Sequence, residues 1–259
     1  MGVKKTILSW NVNGIRSAQR KGFLEWLAKQ SPDILCVQET KAHPDQLDIS
    51  LLNPSGYHTY WTTPLRKGYS GVATFTREKP TLINTGLGVK RFDEEGRVLL
   101  TEYPGFIVLN IYFPNGKASG ERLQYKLDFY EETMRWVRNL KSRGKKVIIS
   151  GDYNTAHKPI DLARPEANED ISGFLPVERA WLDRWVEDGQ VDVFRKFNDQ
   201  PHQYTWWDMK TSARDRNVGW RIDYHFVTQN LVSSVVQADI LSDVFGSDHC
   251  PVSLELKGK

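Results

Sequence analysis

The sequence predicts an α/β fold in which two β-sheets pack face to face between flanking helices. Three observations carry this. Short strand-like runs alternate with a smaller number of helical segments along the whole chain. The two halves are alike in outline, each with several strands and one or two helices, a pattern that two packed sheets satisfy. No short-period repeat, low-complexity linker or break in composition divides them, so one domain over residues 1–259 is expected.

Residues 6–12 (TILSWNV) read as the first strand, and 22–29 (GFLEWLAK) as an amphipathic helix. Pro32 breaks the chain before a buried strand over 33–38. Strands are predicted over 71–76, 98–103 and 107–113. The spacing of Leu123, Leu127, Tyr130, Met134, Val137 and Leu140 predicts a long helix over 121–142, closed by Arg143 and Gly144. Residues 147–150 form a strand leading into Gly151 and Asp152. A helix over 177–188 follows Pro176, a residue suited to a first helical turn. Runs at 192–197, 203–207, 222–227 and 252–256 are read as further strands.

Composition excludes several classes. At 39% hydrophobic and 26% charged, the chain is of ordinary globular type and long enough to build a core without disulfides. Its two cysteines, Cys36 and Cys250, form no zinc spacing, and Cys36 within an apolar run reads as a buried thiol. No run approaches the ~20 apolar residues of a membrane span, and no signal-peptide core follows Met1. A cytoplasmic location without membrane attachment is expected, nucleoid-associated in a prokaryote. A net charge of +3 permits a polyanionic partner without requiring one.

The informative anomaly is where oxygen-bearing side chains fall. Asn11 and Asn13 follow the first strand, Glu39 ends the second, and Asp152 and Asn154 end the strand at 147. Asp223 lies in the apolar run 222–227, and Asp248 with His249 precedes the last strand. Singly, such residues are ordinary turn formers. Jointly, converging carboxylates need a cation or a proton in order to coexist. Hard oxygen donors without cysteine point to Mg²⁺, with Mn²⁺ as a substitute.

Eight motifs, in order, carry a resemblance. They are Ser9–Gly14 (SWNVNG), Leu35–Lys41 (LCVQETK), Gly68–Val72 (GYSGV), Gly96–Val98 (GRV), Ile111–Asn115 (IYFPN), Ser150–Asn154 (SGDYN), Asn217–Tyr224 (NVGWRIDY) and Gly246–Pro251 (GSDHCP). Together they resemble the exonuclease III family of abasic-site (AP) endonucleases, within the endonuclease/exonuclease/phosphatase superfamily. The resemblance implies a four-layer α/β sandwich of the DNase I-like type, with two mixed sheets between helices and the active site where both sheets end. The NVGWR segment and Ile160–Pro165 (IDLARP) look closer to the vertebrate and archaeal branch than to the enterobacterial one.

By resemblance, Glu39 is the principal metal carboxylate, with Asn11, Asp248, Asp152, Asn154 and His249 completing the metal cluster. Asp152 matches the residue that orients or deprotonates the attacking water, and Asn154 a donor to the phosphate. His249 and Asp223 match a His–Asp pair in which the carboxylate favours the cationic ring. Tyr112 matches a phenol that contacts the phosphate, read in some mechanisms as a nucleophile or acid. The other five histidines, His43, His58, His157, His202 and His225, are read as structural.

Asn115 and Asn168 match positions contacting phosphate or flipped sugar. Trp206 and Trp220, with Leu241 a weaker candidate, match the walls of a pocket for an extrahelical abasic sugar. Arg66, Lys67, Lys117, Arg122, Lys210 and Arg214 are candidates for gripping duplex phosphates. Lys210 lies where the vertebrate branch carries a wedging methionine. The implied activity is Mg²⁺-dependent incision of duplex DNA 5′ to abasic sites, leaving a 3′-hydroxyl and a 5′-deoxyribose phosphate. Removal of blocked 3′ ends and 3′→5′ exonuclease activity accompany it, and the chain is expected to act as a monomer. Two rival readings are a superfamily phosphoesterase acting on phosphoinositides, lipids or other nucleotides, and a non-catalytic DNA-binding protein on the same scaffold.

Overall fold

The computed structural model describes residues 4–258. Along the chain run β1 (Lys5–Asn11), α1 (Ile15–Arg20), α2 (Phe23–Gln30), β2 (Ile34–Gln38), α3 (Ile49–Leu52), β3 (His58–Thr62) and β4 (Val72–Thr76). Next come β5 (Leu82–Thr85), α4 (Lys90–Asp93), β6 (Val98–Tyr103), β7 (Phe106–Tyr112), α5 (Gly120–Ser142) and β8 (Val147–Asp152). Then follow α6 (Pro176–Glu187), β9 (Gln190–Asp192), α7 (Val193–Phe197), β10 (Trp206–Trp207) and β11 (Gly219–Trp220). The last strands are β12 (Asp223–Thr228), β13 (Val235–Ile240) and β14 (Val252–Leu256).

Two six-stranded sheets form, in the orders β13-β14-β1-β2-β4-β3 and β5-β6-β7-β8-β12-β9, with β10 and β11 as a separate ribbon. Each large sheet has one parallel pair, β1–β2 and β7–β8, and is otherwise antiparallel. The period-2 geometry of a strand explains the layers. Ile7, Ile34, Val108, Ile148 and Val227 meet in one cluster between the sheets. Their neighbours Leu8 and Leu35 turn outward to pack with Phe23 and Leu27 of α2. Leu109, Ile149 and Phe226 turn outward on the other sheet, against Phe129 and Tyr130 of α5 and Trp181 and Trp185 of α6. Helix, sheet, sheet and helix are the four layers that the resemblance implied.

The inner faces change character along the strands. In each sheet, in-register neighbours share a face, so the residues between the sheets can be followed two at a time. On β1 they run Ile7, Ser9, Asn11, and on β2 Ile34, Cys36, Gln38. On β7 they run Val108, Asn110, Tyr112, on β8 Ile148, Ser150, Asp152, and on β12 Val227, His225, Asp223. An apolar tier thus gives way to a polar tier, and then to the side chains at the sheet ends. The polar tier joins the sheets: Gln38 Nε2 donates to Ser9 Oγ (2.9 Å) and across to Asn110 Oδ1 (2.8 Å). His225 bridges Ser150 Oγ (2.7 Å) and Val252 O (3.1 Å).

A neutral ring satisfies both neighbours, with Nε2–H donating to Val252 O and Nδ1 accepting from the serine hydroxyl. Burial, partly offset by the Val252 carbonyl, lowers its pKa to about 4. The unfolded chain, titrating near 6.5, therefore binds the extra proton first as pH falls from 6.5 to 4. Stability from this group is complete above 6.5 and is lost on going down through that window. The loss amounts to about 2 kcal/mol at pH 5. His225→Gln should remove that component, read as a smaller difference between urea melts at pH 7 and pH 5.

Several sequence expectations change. Residues 193–197 are helical, because the Asp192 side chain accepts from Arg195 N and caps a helix; only Gln190–Asp192 is strand. The strand expected at 203–207 shortens to Trp206–Trp207, which pairs only with Gly219–Trp220. Strands β3, β5, β11 and β13 were not foreseen, and all four residues of β5 are exposed on the sheet edge. Helix α5 begins one residue before the expected 121, where Ser119 Oγ accepts from Arg122 N. No helix among the described residues is long and apolar enough to cross a membrane.

Candidate active site

The site opens where the inner faces of both sheets reach their polar ends. Several of its residues adopt the left-handed conformation disfavoured for side chains with a Cβ. Asn13 (φ 46°), Glu39 (58°), Lys41 (51°) and Asn154 (51°) all do so. These turns end β1, β2 and β8 abruptly and swing the following side chains into one cavity of about 230 Å³. Asn13, Glu39, Tyr112, Asn115, Asp152, Asn154, Asp248 and His249 line it, together with Trp206, Trp220, Ile222, Gly173, Ser172 and Lys117.

Asn11 is buried and bridges two carboxylates, its Nδ2 donating to Glu39 Oε2 (3.0 Å) and Asp152 Oδ2 (2.9 Å). Asp152 is 1% exposed, and its Oδ1 accepts from Asn154 N at 2.7 Å. Burial and the nearby Asp223 charge push its pKa up to about 7, against His249 and the hydrogen bonds from Asn154 and Asn11. Asn154 Nδ2 donates to Phe113 O (2.9 Å), and its Oδ1 accepts from Asn115 Nδ2 (3.0 Å). Asp248 is also engaged: Asn13 Nδ2 and Trp206 Nε1 each donate to it at 3.0 Å.

His249 Nδ1 lies 2.8 Å from Asp223 Oδ2, which also accepts from Thr205 Oγ1 at 2.6 Å. Nε2 faces Asp152 Oδ2 at 3.9 Å. Burial opposes a charged ring, but Asp223, Asp152 and Asp248 overcome it and raise the pKa to about 10. His249 is therefore an imidazolium at neutral pH. Tyr112 is held the other way. Burial and the Glu39 charge keep its phenol protonated, well above the usual tyrosine range, against the Arg97 guanidinium 4.7 Å from its ring.

A hard divalent cation fits this donor set. Glu39 and Asp152 present carboxylate oxygens on either side of the Asn11 amide, with no thiolate nearby. The Lys41 ammonium already sits 2.9 Å from Glu39 Oε1, a position where positive charge is favoured. Asp152, Asp223 and His249 also bring three potential ligand atoms within 4.8 Å of one another. Within that trio His249 Nδ1 is already engaged with Asp223 Oδ2 at 2.8 Å, which leaves the Glu39 and Asp152 oxygens around Asn11 as the freer donors.

Most of the sequence candidates converge here, and some do not. Asn168 stays outside the cavity, its Nδ2 donating to Arg164 O (2.6 Å). Arg122 is not a free cation. It pairs with Glu95 (2.6 Å) and Tyr69 Oη (2.8 Å), and Glu95 also holds the buried Arg97. Arg214 donates to Ser242 O and Val244 O. Arg66 lines an adjoining groove with Tyr69, while Lys67 and Lys210 are exposed. Leu241 packs against the cluster around Trp10; Ile222 takes the place beside the two tryptophans instead.

Sequence reasoning missed Ile222 and Gly173 as lining residues. Ile222 was visible within NVGWRIDY, two residues from Trp220 on an extended segment. Gly173 carried no local signal; its φ of 105° suits glycine, and a Cβ there would crowd Trp220 Cζ3 at 3.2 Å. Also missed was the fully buried Lys126–Glu178 pair (2.6 Å). Lys126 donates to Asn154 O and Thr155 Oγ1, and Glu178 accepts from Gly173 N, which locks the Asn154 turn to the Gly173 turn.

Residues 8–249 match the model of the Endonuclease/Exonuclease/phosphatase family. An exodeoxyribonuclease of Bacillus subtilis (strain 168) is 43% identical over 250 residues, covering 96% of this chain and 98% of that one. The DNA repair nuclease APEX1 of Danio rerio is 38% identical, over 96% of this chain and 81% of its own. Among solved structures, a 3′ phosphatase from Neisseria bound to a product DNA hairpin superposes with a TM-score of 0.90. It is 28% identical and covers 98% of this chain and 99% of that one.

Proposed function

The chain belongs to the endonuclease/exonuclease/phosphatase family and is a hydrolytic DNA repair nuclease of the exonuclease III type, and on that premise we propose that it incises duplex DNA 5′ to abasic sites with Mg²⁺. The products are a 3′-hydroxyl and a 5′-deoxyribose phosphate, and blocked 3′ ends are also cleared. One observation supports this reading above others: a single cavity joins the Glu39–Asn11–Asp152 cluster and the Asp223–His249 pair to an aromatic corner of Trp206, Trp220 and Ile222. In this reading that corner takes the sugar without a base. Action as a monomer is part of the same reading.

In this reading, Glu39 would hold the cation, with Asp152 and Asp248 lining the same cavity. A bound cation would supply Lewis-acid stabilisation of phosphate charge. Asp152, with a pKa near neutrality, takes the proton of the attacking water. His249, fixed as an imidazolium by Asp223, donates through Nε2 to a phosphate oxygen. Asn154 is pinned by Phe113 O and Asn115, so its geometry is set before substrate arrives. The protonated Tyr112 acts as a hydrogen-bond donor to phosphate, since its raised pKa disfavours a phenolate nucleophile.

The test is an end-labelled duplex carrying one tetrahydrofuran abasic analogue, incubated with Mg²⁺ or EDTA beside an undamaged control. One Mg²⁺-dependent nick at the analogue is expected. Laddering from the 3′ end of both duplexes without that nick would replace this reading with a mainly exonucleolytic one. In the same assay, Glu39→Gln should raise the Mg²⁺ concentration for half-maximal rate by about 10-fold or more, because one of the two carboxylates beside Asn11 loses its charge.

A further inference from the structure

Lys117 lies in the loop between β7 and α5, where the sequence suggests contact with duplex phosphates. Its amine sits elsewhere. Nζ lies 5.5 Å from the ring centroid of Trp206 and 5.4 Å from that of Trp220. The two rings stand at 82° with centroids 6.4 Å apart, so the ammonium caps the corner that they form. The corner is otherwise closed by Ile222 and Gly173.

The chemistry of this position is unusual for a lysine. The other cationic side chain lining the cavity, His249, is committed to Asp223. Among the described residues, Lys117 Nζ is held by the ring faces alone, with no ion pair or hydrogen bond. Ring faces attract the charge but accept none of its three N–H groups conventionally. Lys117 as a residue is exposed, so water meets its N–H groups in the free protein, while desolvation against the rings still pushes the amine below the ordinary lysine range, with Glu178 and Asp208 opposing. A ligand entering the corner displaces that water: one with an acceptor oxygen there replaces the lost hydrogen bonds, and one without leaves the donors unmet.

We propose that Lys117 is a specificity-determining residue that donates a hydrogen bond to the oxygen on the sugar carbon from which a base has been lost. A natural abasic sugar carries that oxygen, as hydroxyl or aldehyde. The tetrahydrofuran analogue lacks it. The inference rests on the abasic-site reading above and adds which part of the lesion is read: the aromatic rings accept the sugar's C–H faces, and Lys117 ranks sugars by their oxygen.

The experiment compares the full chain with Lys117→Met, which keeps the apolar stem and loses the donor. Single-turnover kcat/KM is measured with Mg²⁺ on three duplexes, carrying a natural abasic site, a tetrahydrofuran analogue or a 3′-phosphate end. The variant should lose about 10-fold or more on the natural site, the scale of a hydrogen bond to a charged group, and stay within about 2-fold on the other two. Equal loss on all three would overturn the proposal and make Lys117 a phosphate grip. A gain on both abasic duplexes would overturn it by making Lys117 an obstruction, and unchanged rates on all three would also end it. Failure of the unaltered chain to nick either abasic duplex would instead count against the abasic-site reading, since that arm does not involve the variant.

Discussion

Asp152→Asn is expected to lower Mg²⁺-dependent cleavage of an abasic duplex by about 10³-fold or more, near the upper range for removal of a general base. The side chain is nearly inaccessible to water and receives hydrogen bonds from Asn11 and the Asn154 backbone, so its orientation is fixed. Its pKa of about 7 leaves a large ionised fraction at neutral pH while retaining appetite for a proton. The amide has neither the charge nor the basicity. Binding should persist or tighten, because a negative charge facing the phosphate is lost while His249, Asn154 and Asn115 remain. Parallel single-turnover cleavage and gel-shift titration of the variant check both halves. Near-normal cleavage would remove Asp152 from its assigned role.

Asp223→Asn acts one step further from the phosphate and changes the pH profile as well as the rate. Asp223, through its charge and hydrogen bond and with Asp152 and Asp248 adding to it, raises His249 from an ordinary value near 6.5 to about 10. If the imidazolium is the working form, activity is present below that pKa and lost above it. The unaltered enzyme therefore keeps its cationic donor up to about pH 9. Without the aspartate, burial is opposed only by Asp152 and Asp248, so the alkaline limb of kcat/KM moves down from about 10 toward neutrality. At pH 8 the expected loss is about 10²-fold or more, with partial recovery toward pH 6. A variant whose loss is uniform from pH 6 to 9 would show that Asp223 matters only for packing.

Much of this arrangement was legible in the sequence, because strands of alternating character carry their own address. The steps Ile148–Ser150–Asp152 and Val227–His225–Asp223 announce buried, then polar, then reactive positions at a period of two. The oxygen-bearing side chains at separate strand ends signalled convergence before any fold was known. The illegible parts depend on contacts distant in sequence. The run VFRKF has strand-like composition, yet the cap from Asp192 makes it helical. Lys117 reads as one more loop cation until β10 and β11 bring Trp206 opposite Trp220. Gly173 has meaning only once Trp220 stands over it. Lys126 occupies a helix position where a solvated charge is the default, and only Glu178, from another helix, explains its burial.

The order of strands in the first sheet has a consequence for the chain as it is made. Strand β1 pairs on one side with β2, which follows it closely, and on the other with β14, whose residues are Val252–Leu256. Until the ribosome has passed residue 256, β1 is an open edge, and the segment carrying Asp248 and His249 has no anchor. Asn11 and Glu39 emerge early but wait for Asp152, and all three wait for the histidine. A chain truncated before residue 248 therefore lacks the histidine that completes the site proposed above. Such a chain is expected to give no Mg²⁺-dependent nick in the end-labelled duplex assay.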